Sequence, residues 1–490
     1  MAGQAAVAAG SEASAAAAAQ VLRGGGNAVD AALAAGFAGA VAEPGLTSLG
    51  GGGFLLVRTP EGHEQVLDFF VDAPGRGLSP EERTPHFTPV VVEFAGAEQV
   101  FHAGWGSAAV PGCLAGYLMA HRQLGRAPMA DVVRPAVEYA SDGVVLAPHQ
   151  ARVLALLTGI VTLTATGREL FAPNDALVRA GDRIRNHELA AFLTALGEGT
   201  VTGFDSPAVA LPLVEAMTAH AGLVTHDDLT AYQPVDRVPM VMQYRGARVA
   251  TNPPPSFGGS ILTDALGVLT EDGPMSDPDA DVLRLVEALA TATDRQKLRA
   301  SGAAPQSRRG TTHVSVVDAD GLMVSMTTSN GSCSGVYAPG TGVQLNNVMG
   351  EDDLHPGGFH SVPAGTRIGS MMAPTIVDRA DGTVIALGSG GSERIRSALL
   401  QVAVHLIDRQ AAVGAAVEAP RLHWDGRAVQ TEPGWGAPAL AALAAWGPVN
   451  PWPQQDLYFG GLQAVSLEET GRVTAHGDPR RGGVGLIVDL

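Results

Sequence analysis

The stretch Arg308-Arg309-Gly310-Thr311-Thr312-His313-Val314-Ser315-Val316-Val317-Asp318 decides the reading of this chain. It opens as a polar, flexible segment. From His313 it alternates polar and apolar residues, the period of a half-buried strand. Asp320-Gly321 supplies a hairpin turn, and Met323-Val324-Ser325-Met326-Thr327-Thr328 reads as the returning strand. A hydroxyl at the start of a strand, straight after a glycine, is well placed to attack the carbonyl that precedes it. Cleavage there leaves Thr311 with a hydroxyl and a free α-amine, and that amine can act as the local general base. By pattern alone, a threonine at a strand start is also ordinary β-propensity. His313 points to the opposite face from Thr312 and reads as structural.

Outward from this hairpin, two further strands are expected at 374–378 and 383–388, joined around Asp381-Gly382. The second runs into Leu387-Gly388-Ser389-Gly390-Gly391-Ser392, with a helix beginning near Glu393. Backbone N–H groups at such a turn can form an oxyanion hole or anion nest; the plain alternative is a tight strand-to-helix turn. Toward the N-terminus, residues 4–22 and 27–42 read as two helices separated by Arg23-Gly24-Gly25-Gly26. Phe54-Leu55-Leu56-Val57-Arg58 reads as a buried strand with Val66-Leu67-Asp68-Phe69 as its hairpin partner. The cluster Gly50 to Gly53 lacks the Gly-Lys-Ser/Thr of a phosphate loop and precedes a strand, not a helix. Residues 111–240 look mostly helical, with turns at Pro128, Pro148 and Gly222-Leu223. The loop Pro253 to Gly259 should be followed by a helix, and another is expected near 282–299. Strands near both ends with helices between them imply one layered α+β domain, without internal repeats.

Composition narrows the function. The chain has 490 residues, 46% hydrophobic and 16% charged, as a well-buried globule does. Net charge is −18, the only lysine is Lys297, and no basic run occurs, so a nucleic-acid partner is not expected. Cys113 and Cys333 are too few and too far apart for a disulfide framework or a zinc site, and read as small apolar filler. No positive charge precedes Arg23, and no strongly apolar run is long enough to span a bilayer. Neither secretion nor a membrane is therefore expected, and the simplest address is cytoplasmic. With nucleophile and base on one residue and no ligand cluster visible, no metal or organic cofactor is expected.

Family resemblance adds what spacing cannot. Gly25-Gly26-Asn27-Ala28-Val29-Asp30-Ala31-Ala32, Glu43-Pro44, Gly50 to Phe54, Val110-Pro111-Gly112, Pro254-Pro255-Ser256-Phe257-Gly258-Gly259 and Asp294-Arg295 occur in order. Thr311 to Asp318, Leu345-Asn346-Asn347, Ala373-Pro374-Thr375, Gly388-Ser389, Pro420-Arg421-Leu422-His423 and Asp478-Pro479-Arg480 follow. Over almost its whole length the chain resembles the γ-glutamyltransferase (γ-glutamyl transpeptidase) family. The resemblance implies a four-layer αββα N-terminal-nucleophile hydrolase sandwich and autoprocessing between Gly310 and Thr311. The products would be a large chain 1–310 and a small chain 311–490, partners in one intertwined domain. The acyl-transfer machinery it implies is Thr311, Thr312, Ser329 with neighbouring Asn330, and the turn Gly390-Gly391-Ser392. Ser392 stands where the family carries the second of two glycines, which leaves the oxyanion-hole donors open by one residue.

The departures bear on substrate. Where the family grips a substrate α-carboxylate with arginine, this chain has Phe70. Where it grips the α-ammonium after the Asn-Asn pair, this chain has Val348 and, nearby, Glu351. The usual Ser-Ser pair is Ser370-Met371. A phenyl ring cannot replace a bidentate guanidinium, and losing one charged partner of a buried pair costs about 2–5 kcal/mol. Ordinary γ-glutamyl substrates should bind poorly. The expected partner is a small molecule without a free amino-acid head. Homologues in antibiotic pathways that make alkylproline units are associated with oxalyl-type removal by C–C hydrolysis, and others deacylate β-lactams at a C–N bond. The alternatives are a glutathione or γ-glutamyl hydrolase or transpeptidase, and a processed but inactive binding scaffold.

Overall fold

Alanine is the strongest helix former, yet Gln4–Ala9 is a strand. The helix expected over 4–22 starts only at Glu12, where the Ser11 hydroxyl accepts from the Ser14 N–H at 3.2 Å. Pairing on both edges overrides the local preference: residues 6–9 pair with 314–317 and residues 4–9 with 484–489. Ala5, Val7 and Ala9 face one apolar cluster, while Ala6 and Ala8 face another. Small side chains suit a strand pressed between two layers.

The computed structural model describes residues 3–79, 81–84, 86–94, 97–299, 310–351, 354–355 and 358–490. Arg308 and Arg309, expected as part of a flexible approach to the strand, lie outside these residues. The strands of the two main sheets are β1 (Gln4–Ala9), β2 (Gly52–Arg58), β3 (Glu64–Phe69), β4 (Val235–Arg237), β5 (Met240–Tyr244) and β6 (Ala247–Thr251). They continue with β7 (Gly310–Val317), β8 (Met323–Gly331), β9 (Thr375–Asp378), β10 (Val384–Gly390), β11 (Gly461–Leu467), β12 (Val473–Gly477) and β13 (Val484–Asp489). One sheet has the order β13-β1-β7-β8-β2-β3-β4 and the other β12-β11-β10-β9-β6-β5. Neighbours in both sheets are antiparallel.

Helices α1 (Glu12–Arg23), α2 (Ala28–Ala42), α3 (Cys113–Leu124) and α4 (Met129–Asp142) cover the first sheet, packing Leu22, Leu33, Leu114 and Val132 with Val7, Leu55 and Val316. Helices α5 (Gly258–Thr270), α6 (Val282–Arg299) and α7 (Arg394–Ile407) bring Ile261, Leu285 and Leu399 to the cluster of the second sheet. That cluster also takes Phe54 and Leu56 from the first sheet, so the two sheets share a core. The architecture is the α+β, four-layer αββα sandwich expected from the resemblance. Asn27 and Asp30 form a capping box that starts α2, and Asp30 also accepts from the N–H groups of Arg126 and Ala127. No helix among the described residues is long and apolar enough to cross a membrane. Cys113 and Cys333 are buried and unpaired with each other, and burial pushes both thiols up to about 12.

Candidate active site

The β7–β8 ladder is irregular at its head. Gly310 pairs with Gly331 and Thr312 with Thr328, so β8 takes three residue steps where β7 takes two. The bulge sets Thr311 apart from regular pairing. Its Oγ1 donates to Ser329 Oγ at 3.4 Å. Ser329 Oγ in turn donates to the Gly310 carbonyl at 2.7 Å and accepts from the Gly331 N–H at 3.0 Å. A hydroxyl, a bridging hydroxyl and the carbonyl one bond upstream are therefore linked in one chain, with Thr311 4% and Ser329 6% exposed.

The end of β10 packs closely on Thr311. A Cβ on Gly390 would collide with the Thr311 carbonyl group. Gly391 has φ 126° and Ser392 φ 56°, the second an unfavourable conformation for a side-chain-bearing residue. The N–H groups of Gly391 and Ser392 find no hydrogen-bond partner among the described residues, nor does the buried Ser392 hydroxyl. Two such N–H groups in one turn are the geometry of an anion nest.

On β7 the side chains then alternate. Thr312 faces the helical layer, in a small cavity with Gly10, Ser14, Glu43 and Thr328. Burial raises the Glu43 carboxyl above its ordinary value, against hydrogen bonds from Ser14, Thr312 and Ser11; Ser14 Oγ donates to it at 2.7 Å. Sequence reasoning had Glu43 only as half of a Glu-Pro motif. His313 faces the second sheet, bonded to Thr327 Oγ1 at 2.7 Å and Ser315 Oγ at 2.9 Å. Burial pushes its pKa down to about 3, so the ring is neutral. A Cβ on Gly388 would strike that ring.

Gly50 to Gly53 are explained by close backbone approach. A Cβ on Gly51 would collide with the Ser329 carbonyl, and one on Gly52 would sit 3.0 Å from the Phe70 Cα and 2.9 Å from the Val71 nitrogen. Phe70, 2% exposed, stacks on Phe54 with centroids 5.7 Å apart, and Val348, 1% exposed, lies in the same core cluster. Glu351 is buried against Gly331, where a Cβ would sit 2.5 Å from its Oε1. Asn330 Nδ2 donates to Gln344 Oε1 and the Leu345 carbonyl, both at 3.4 Å. Ser370 Oγ accepts from the Met372 N–H at 3.1 Å, and its carbonyl accepts from Ser256 Oγ at 2.8 Å; Met371 is half-buried beside it. Arg367, near Phe70 in space, does not substitute for the missing arginine. It is held by Asp72 at 2.6 Å, Asp68 at 2.7 Å and the Gln233 carbonyl at 2.8 Å.

A cavity of about 110 Å³ opens beside Gly310, lined among others by Leu46, His149, Arg394, Trp452, Tyr458 and Arg481. No local sequence signal marked Arg394 or Arg481 as site residues; each joins the site only through the fold.

This sandwich, with a threonine at the head of a central strand and a glycine turn facing it, is that of an N-terminal-nucleophile hydrolase. The gamma-glutamyltranspeptidase family model matches residues 14–299 and 279–488, and the chain belongs to that family. It is 30% identical to the acylase ACY 1 proenzyme of Pseudomonas sp. (strain SE83), over 94% of this chain and 89% of that one. It is 28% identical to the glutathione hydrolase proenzyme of Escherichia coli (strain K12), again over 94% and 89%. The crystal structure of cephalosporin acylase from Bacillus halodurans superposes with a TM-score of 0.81 at 26% identity, covering 99% of this chain and 96% of that one. The chain is thus a hydrolase or transferase of this family.

Proposed function

We propose that the protein is a self-processing N-terminal-threonine hydrolase, cut between Gly310 and Thr311 into chains 1–310 and 311–490, that removes an acyl group from a small molecule lacking a free amino-acid head. The observation that carries this is the Thr311 hydroxyl, linked through Ser329 to the carbonyl it would attack. In processing, Oγ1 adds to the Gly310 carbonyl carbon, the Gly310–Thr311 C–N bond breaks as the nitrogen takes a proton, and water hydrolyses the resulting ester. In turnover, the freed α-amine accepts the Oγ1 proton, the acyl carbonyl of the substrate is attacked, and the leaving group departs with that proton. Water then releases the acyl group from Oγ1. The unpartnered N–H groups of Gly391 and Ser392 are the donors we assign to the oxyanion.

The bond is an acyl C–N or C–C bond, and we read the setting as specialised-metabolite (antibiotic) biosynthesis, with oxalyl-type removal in alkylproline formation as the reaction. Phe70 and Val348, both turned into the core, support a head group other than an amino acid. The acylase relatives support deacylation. A second reading, glutathione or γ-glutamyl hydrolysis or transfer, is favoured by Glu351 against Gly331 and by the glutathione hydrolase relative. Losing two charged contacts is worth several kcal/mol, and each ~1.4 kcal/mol is tenfold in affinity. The test is a side-by-side assay of mature enzyme on glutathione, a γ-glutamyl anilide, an acylated cephalosporin and an oxalyl-bearing dihydropyrrole. Very slow turnover of the first two, with turnover of one of the others, is expected. Efficient turnover of glutathione would overturn the lead reading in favour of the second.

A further inference from the structure

Glu43 carries a buried carboxyl that the proposed mechanism does not use. It follows the last residue of α2 and is 1% exposed. Burial, the C-terminal end of a helix and the lack of any offsetting cation among the described residues all disfavour a carboxylate there. Its Oε1 accepts from Ser14 Oγ at 2.7 Å, and Ser14 Oγ accepts from Ser11 Oγ at 2.9 Å, which ties the side chain to the start of α1. Its Oε2 closes no hydrogen bond among the described residues. Oε2 and the Thr312 hydroxyl converge on Gly10, where a Cβ would collide with both. Thr312 is the residue after the nucleophile.

The turn that Glu43 begins reaches the other side of the reacting bond. The Glu43 carbonyl accepts from the Leu46 N–H at 3.1 Å and the Thr47 N–H at 3.4 Å. A Cβ on Gly310 would collide with the Gly45 carbonyl and lie 3.0 Å from the Leu46 Cα. The Leu46 carbonyl accepts from the Asn330 N–H at 3.1 Å, and Thr47 Oγ1 lies 2.9 Å from Oγ1 of Thr328, the residue paired with Thr312. Residues 43–47 thus meet Gly310 on one side of Thr311 and Thr312 on the other. We propose that Glu43 is a positioning residue for Thr311: its carboxyl bridges α1 to the Thr312 hydroxyl and, with Gly45 and Leu46 backed against Gly310, fixes the bulged head of β7 so that the Thr311 hydroxyl keeps its place beside Ser329. Glu43 acts through Thr312 and handles no reacting atom. Reaction geometry is steep, and a misplacement of about 1 Å can cost about a hundredfold in rate. This inference rests on the reading of Thr311 as nucleophile.

The test follows self-cleavage, which needs no substrate. Precursor is made by cell-free synthesis, synthesis is stopped, and the small chain is followed in time on denaturing gels. Folding is followed by tryptophan fluorescence and Tm in matching chains that carry Thr311→Ala and so stay uncut. Glu43→Ala and Thr312→Val should each slow cleavage about tenfold or more, and the double variant should be no slower than the slower single one, as for two groups acting as a unit. Glu43→Gln, whose amide can accept from Ser14 and donate to Thr312, should recover most of the rate. A merely structural role predicts a lower Tm with normal cleavage of the chains that fold. Cleavage of either folded single variant at the wild-type rate, multiplied effects in the double variant, or a glutamine variant as slow as the alanine one overturns the proposal. If Glu43→Ala fails to fold, the other two decide: slow Thr312→Val with fast Glu43→Gln supports the proposal, and any other pairing overturns it. Normal wild-type cleavage with equally fast variants counts against this inference alone. A wild-type chain never cut before Thr311 removes the nucleophile reading, and this inference falls with it.

Discussion

At the scale of single residues, the site combines one hydroxyl chain with one strained turn. Ser329 is the linking group: it holds the Gly310 carbonyl and takes the Thr311 hydroxyl, so the two reacting atoms share one partner. Ser392 is held at φ 56° with its hydroxyl buried and without a hydrogen-bond partner among the described residues. A left-handed conformation costs an L-residue about 1–2 kcal/mol, and replacement by glycine returns roughly 0.5–1 kcal/mol of that as extra freedom of the unfolded chain. Ser392→Gly should therefore stabilise the protein by about 0.5–1 kcal/mol, visible as a raised Tm in calorimetry. A clear fall in Tm would show that the serine contributes something its contacts do not display. The change also restores the two adjacent glycines of the family pattern, so processing should persist.

At the scale of elements, the β7–β8 hairpin and the β10–α7 turn hold the residues we propose for the chemistry, and a buried polar seam ties the strands. His313 on β7 bonds Thr327 and Ser315, and Ser325 donates to the Leu387 carbonyl on β10 at 2.9 Å. Burial lowers the His313 pKa to about 3, below the roughly 6.5 of an unfolded histidine. Between those values the unfolded chain binds a proton that the folded chain does not. Stability from this group is thus full above about pH 6.5 and lost progressively as pH falls toward 3. NMR of the imidazole nitrogens at pH 5 should show a neutral ring, and an imidazole titrating near 6.5 would contradict the buried network. The hairpin was legible because its alternation and the Asp320-Gly321 turn are local signals, and the glycine turn was legible for the same reason. Strand β1 was not, because alanines that fit tightly between layers also form good helices. Arg481 was not, because it reaches Thr311 only through the fold, from the far end of the chain.

At the scale of the whole molecule, the two halves on either side of Gly310 are interleaved. In the first sheet β1 is flanked by β13 and β7, and β8 pairs with β2, so strands from the two sides of Gly310 are hydrogen-bonded to one another. Separating them would expose both apolar clusters. The processed chains should therefore co-elute in gel filtration at the size of the precursor and part only in denaturant; separation in native buffer would contradict the intertwined architecture. All of this rests on the role given to Thr311. The most direct measurement is intact mass with N-terminal sequencing of purified wild-type protein beside Thr311→Ala. The account predicts two wild-type chains, the smaller beginning at Thr311, and a single uncut chain for the variant. A wild-type protein that remains one chain while turning over substrate, or a small chain that begins at any other residue, would contradict it.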